Sequence, residues 1–168
     1  MDDLSPLRRA KRPRSIIAGP YGHPFHALLV TIPIGAWSAS IVFDLVAIFG
    51  QEPEAFVQGA RWLVGIGIIG ALLAAVVGLV DLSALAGGTK ARRIALTHMT
   101  FNLIAVALFT VSFFLRLAAD LQVSVLGFVL SVLAIVCIGV SGFLGGELAY
   151  RYGVRVADEE TQATGFTQ

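Results

Sequence analysis

Charge is the first thing this chain lacks. Only 14% of its 168 residues are Asp, Glu, Lys or Arg, where a soluble domain carries about 25%. That scarcity excludes an ordinary solvated globular surface. Cysteine is nearly absent too. The single Cys137 rules out an internal disulfide framework and any Cys-based zinc or iron–sulfur site within the chain. It lies in an apolar run and reads as a small packing residue. No strong charge of one sign is present either, since the formal net charge is +1. A nucleic-acid role is therefore unsupported: the basic N-terminal run is accounted for by membrane orientation and by anionic lipid headgroups.

What is abundant is apolar sequence, 57% of residues with a mean hydropathy of +0.83. It falls into four stretches, roughly 25–49, 59–86, 94–115 and 123–149. Each exceeds the ~20 residues that cross a ~30 Å hydrocarbon core as a helix. Backbone groups in lipid must be paired within their own segment, so all four are expected to be helical. Short connections make consecutive helices antiparallel neighbours. The expected fold is an all-α, integral membrane four-helix bundle of up-down topology. A basic segment, 1–22, precedes the transmembrane domain, 23–152, and a short tail, 153–168, follows it.

The basic residues set the orientation. All but Arg61 and Arg116 of the 12 Lys and Arg residues fall before the first span, between the second and third, or after the fourth. The positive-inside bias is then expected to place both termini of a multi-pass protein on the cytoplasmic side. Ser38-Ala39-Ser40 resembles a signal-peptidase site, but the apolar run continues past it, so the first span is expected to be retained. The string GIGIIG at 65–70 matches a dinucleotide fingerprint letter by letter, but it lies inside a membrane span with no strand before it.

Small residues forecast helix contacts: Gly70, Ala74 and Gly78 in the second span, Gly142 and Gly146 in the fourth. Pro33 is expected to kink the first helix. Placed by depth, the polar residues gather in one leaflet. His23 and His26 open helix one in GPYGHPFHALLVTIPIG, Asp81 closes helix two, His98 opens helix three, and Glu147 and Tyr150 close helix four. Asn102 shares a face with His98, continued by Ala105, Phe109 and Ser112. Ionisable groups inside a membrane are costly and mark functional sites by default. Asp44, near the other end of helix one, reads as structural or interfacial. Glu147 and Arg151 are spaced for a surface ion pair, and Lys90, Arg92 or Arg93 are placed to neutralise Asp81.

Three chemistries suit this cluster. A quinone site needs apolar walls, aromatic rings and one or two groups for its oxygens, which Tyr21, His23, His26, Trp37, Asp81, Arg92 and His98 supply. A b-type haem needs two histidines at equal depth on different helices, and His26 and His98 meet that condition. A divalent metal would use His23, His26, His98 and Asp81 or Glu147, though no water-activating arrangement is evident.

GHPFHALLVTIPIGAWSASIVFDL, GLVDLSAL and GFLGGELAYRYGVRV together resemble the signatures of a widespread bacterial family of four-helix membrane proteins whose name records no activity. The resemblance covers about residues 19–156. It falls on motif positions His23, Pro24, His26, Asp44, Asp81, Gly145, Gly146, Tyr150 and Gly153. Members occur alone, or fused to or encoded beside Rieske-type iron–sulfur domains, and some look like membrane anchors of an actinobacterial class of succinate dehydrogenase. The resemblance thus implies a non-catalytic membrane subunit of a respiratory oxidoreductase. Menaquinone or another quinone would be shared with iron–sulfur and flavoprotein partner subunits. The chain has no Cys-x-His pairs, so any iron–sulfur cluster would sit in a partner. A stand-alone b-type cytochrome and a cofactor-free structural or assembly protein are the alternatives.

Overall fold

The computed structural model describes residues 6–11, 15–19, 23–50 and 53–166. Among these every regular element is helical. A short α1 (Pro6–Lys11) and one 3-10 turn (Ile16–Ala18) precede α2 (Phe25–Leu29) and α3 (Thr31–Phe49), which together form the first span. Then come α4 (Pro53–Ala84), α5 (Lys90–Ala118) and α6 (Val125–Gly146), a π-helical turn (Glu147–Arg151) that prolongs α6, and a terminal α7 (Glu159–Thr164). Four of these helical runs are long and apolar enough to cross a membrane: Phe25–Phe49, Pro53–Ala84, Lys90–Ala118 and Val125–Arg151.

Local chemistry sets the ends. Ser124 and Thr89 stand at the N-caps of α6 and α5, their hydroxyls accepting from Gly127 N–H and Arg92 N–H, donors that no intrahelical carbonyl can serve. The first span is interrupted at Val30, three residues ahead of Pro33. A proline ring crowds the carbonyl four residues earlier, here Leu29, and offers it no N–H. The break therefore lies before the proline, and Thr31 donates its hydroxyl back to Leu28 O at 2.7 Å.

α3 packs chiefly on α4, and α5 chiefly on α6, giving two helical hairpins that face each other. Trp37, Val64, Ala105, Phe109 and Ala134 form the buried centre. The Trp37 and Phe109 rings stack with centroids 4.1 Å apart and planes 11° from parallel. Gly67 admits the indole: a Cβ there would stand 2.2 Å from Trp37 Nε1, which instead donates to Val64 O at 3.2 Å. Gly70, Ala74 and Gly78 do line the first hairpin's seam, Gly70 against Ile32 and Pro33, and Gly78 against His26. Gly142 and Gly146 differ from expectation. Nothing lies within 4 Å of a Cβ built on either, because the inward stripe of α6 runs one residue out of phase, through Ser141 and Gly145.

The hairpins also repeat one another. Asp44 and Arg116 are 72 residues apart and ion-paired. The same offset relates His26 to His98, Trp37 to Phe109, and Ser40 to Ser112. The first two of these pairs are in ring contact across the bundle, and both serines are fully buried. Contacts between equivalent positions are what a two-fold axis between two similar hairpins produces. At the end away from the histidines, Arg116 grips the Asp44 carboxylate with two guanidinium nitrogens, Nη2 donating to Oδ2 at 2.6 Å. It also donates to Ser112 Oγ at 3.1 Å and Ser131 Oγ at 3.2 Å. Both charged side chains are at most 5% exposed, so this pair locks the hairpins together at depth.

Candidate functional site

The polar rim is built at the opposite end. α2 carries His26 to the α4 seam, where Nδ1 stands 2.9 Å from Ala74 O. The ring lies over Gly78, one turn further along α4, where a Cβ would come within 3.0 Å of its Cε1 and Nδ1. α5 presents His98 to α6 in the same manner. Its Nδ1 is 2.8 Å from Ser141 O, and the ring lies over Gly145, where a Cβ would be 3.2 Å from Cε1. The two imidazoles meet edge to face, with centroids 6.2 Å apart and planes at 77°.

These contacts fix the proton positions. A carbonyl oxygen only accepts, so Nδ1 carries the hydrogen in both rings, and in the neutral imidazole Nε2 presents a lone pair. His98 Nε2 is already occupied: Asn102 Nδ2 donates to it at 3.0 Å. Ser141 Oγ adds to the same ring, 2.9 Å from Nδ1, while donating to His98 O at 3.2 Å. His26 Nε2 has no hydrogen-bond partner among the described residues.

Asp81 follows Gly78 on α4, within electrostatic reach of His26. Its ion-pair partner is Arg155, whose Nε stands 3.1 Å from Oδ1, and not Lys90, Arg92 or Arg93. Arg92 instead turns its guanidinium onto Leu82 O and Leu85 O, at 3.3 and 2.8 Å, finishing the end of α4. Arg155 reaches inward because its own backbone is left-handed, with φ of 60°, and its N–H is tied to Ala10 O at 3.0 Å. Its Nη2 donates to Ala18 O and to His23 O. Gly19 makes that approach possible: at φ 137° a Cβ would overlap His23 O. The N-terminal segment and the tail thus meet over the rim, joined further out by Lys11 and Glu159 at 3.0 Å.

Of the residues singled out from sequence, His26, His98 and Asp81 are brought together. His23 is exposed and contributes its carbonyl to the cap. Trp37 lies in the middle of the bundle with its N–H already used. Tyr21 lies outside the described residues. Glu147 and Arg151 form the expected surface pair at 3.1 Å. No group of three or more His, Cys, Asp or Glu side chains among the described residues is arranged to hold a metal ion. A haem iron held by the pair would need both Nε2 lone pairs aimed at it from opposite sides. A haem there would require Asn102 to leave the His98 lone pair. Sequence reasoning placed Asn102 on the right face but missed Ser141 and Arg155. Ser141 stands 67 residues after Ala74, as Gly145 does after Gly78, so the 72-residue offset of the histidines does not reach it, and nothing local announces Arg155.

Four membrane-spanning helices in two hairpins, with an imidazole pair and an arginine-paired carboxylate clustered at one end, define an integral membrane protein with a polar, one-sided site. The chain belongs to the family described as Predicted membrane protein (DUF2231), whose model matches residues 22–158. No curated protein and no solved structure matches it.

Proposed function

We propose that this protein is a non-catalytic membrane subunit of a quinone-linked respiratory oxidoreductase of the succinate dehydrogenase kind. In this reading it sits in the bacterial inner membrane with both termini cytoplasmic. It anchors iron–sulfur and flavoprotein subunits, including a Rieske-type partner, and holds menaquinone or another quinone at the rim. The carrying observation is the imidazole pair, 6.2 Å apart, with each Nδ1–H given to a backbone carbonyl. That leaves a basic nitrogen, backed by Asp81, at a membrane edge, where a quinone exchanges protons as it exchanges electrons. The basic flanks of the spans support the cytoplasmic side for the rim.

The test is the purified complex, assayed for quinone reduction after His26→Ala, Asp81→Ala and His98→Ala. Loss of turnover with intact subunit assembly is the expected result, and full activity in all three variants refutes the reading. The meeting of two histidines from different helices prompts one second reading, a b-type haem held by His26 and His98. An absorption spectrum of the protein purified under haem-replete expression decides it: without a Soret band and dithionite-reduced α and β bands, that reading falls.

A further inference from the structure

The two hairpins build the same half-site twice and then diverge, and the divergence separates the histidines by role. In each half-site a ring Nδ1–H is held by a carbonyl of the facing helix, and a glycine one turn further on makes room for the ring. The residue four positions after each histidine is where they part. After His98 it is Asn102, which closes the Nε2 lone pair. After His26 it is Val30, which has nothing to donate. The carboxylate side differs as well. Counting three residues on from each glycine, the first half-site has Asp81, paired with Arg155, while the second has the buried Leu148.

We infer that His26 is the ligand-accepting base of the rim, that its occupant is a hydroxyl donor, and that His98 is a positioning residue. Resting on the quinone reading above, the occupant is the quinol form. Its O–H donates to His26 Nε2. The oxidised quinone offers only acceptors and has no hydrogen for that lone pair. His98 holds the His26 ring by edge contact while both its own nitrogens stay engaged.

Carbethoxylation by diethyl pyrocarbonate, which attacks an open imidazole lone pair, tests this on the full chain purified in detergent. Mass spectrometry follows His26 and His98 separately, with the exposed His23 as reference. His26 should react about tenfold faster than His98, the factor that one hydrogen bond of ordinary net strength imposes. Val30→Asn should bring His26 down toward the His98 rate, and Asn102→Val should raise His98. Equal wild-type rates overturn the inference without recourse to any variant. Decylubiquinol added anaerobically should protect His26, and decylubiquinone should protect it less. Selective reaction of His26 with no protection by decylubiquinol supports the open base and overturns the quinol as its occupant. Equal protection by both redox forms overturns the hydroxyl-donor assignment.

Discussion

Replacing Asp44 with Leu strands Arg116, and the size of the effect follows from what surrounds the guanidinium. In the native bundle Arg116 makes two bonds to the carboxylate and one each to Ser112 and Ser131. At 3% side-chain exposure it has no route to water. Removing one partner of a buried pair costs about 3–5 kcal/mol, because an uncompensated charge remains. Two serine hydroxyls cannot neutralise it, so a value toward the upper end is expected. That is a large share of a domain stability of roughly 5–15 kcal/mol. Arg116→Leu should cost a similar amount, now through the orphaned carboxylate. The double variant Asp44→Leu/Arg116→Leu should recover most of the loss, since no charge is then buried, and the coupling should be well outside the ~0.5 kcal/mol additivity of independent sites. The swap Asp44→Arg/Arg116→Asp is the sharper probe. The two-fold relation of the hairpins places Ser40 beside the new arginine where Ser112 stood beside the old one, so the swap should outlast either single variant. The assay is unfolding of the purified protein in mixed micelles, followed by circular dichroism and by fluorescence-detected gel filtration after heating. Single variants as stable as the native protein, or a double variant as weak as the sum of the singles, would refute the argument.

Trp37→Ala should cost about 3–5 kcal/mol, because it empties the space over Gly67 and unstacks Phe109. Tryptophan emission should then report only the exposed Trp62. Gly78→Ala should displace His26 from Ala74 O, as its Cβ would fall 3.0 Å from the ring. Gly145→Ala, at 3.2 Å from His98, should be milder, and imidazole nitrogen chemical shifts distinguish the two. Arg155→Met removes the ion-pair partner of Asp81 and the donor to Ala18 O and His23 O, worth about 1–3 kcal/mol for polar groups left unsatisfied. Protease cleavage of the tail should accelerate, and Asp81→Asn in the same chain should restore stability but not quinol protection of His26. Glu159 sits below its ordinary value of 4.5, first through its own backbone N–H and then through Lys11. A lowered carboxylate pKa stabilises the docked tail above that ordinary value and loses its contribution as pH falls through the folded one. Tail proteolysis should therefore rise in acid, and Glu159→Gln should remove that dependence.

The sequence alone was sufficient for the class of architecture. Long apolar runs in a chain with few charges leave one option, since lipid forces every spanning backbone into helices, and residues 25–49 of the sequence coincide with the Phe25–Phe49 span. It was also sufficient to bring His26, Asp81 and His98 to one level of the bundle, because level is only distance along a helix axis. Rotation about that axis was harder. A shift of one residue turns a helix by about 100°, which is why Gly142 and Gly146 face open space while Ser141 and Gly145 meet His98. Partners lay beyond the sequence, because they join segments far apart along it. Asp81 finds Arg155 through a left-handed residue in the tail, and Asp44 finds Arg116 across the bundle. Trp37, which composition suggested as an aromatic wall, is buried on Phe109 instead. The difference between the two histidines was likewise decided by tertiary structure: their sequences supply identical rings, and only the facing carbonyls and Asn102 make one lone pair closed and the other open.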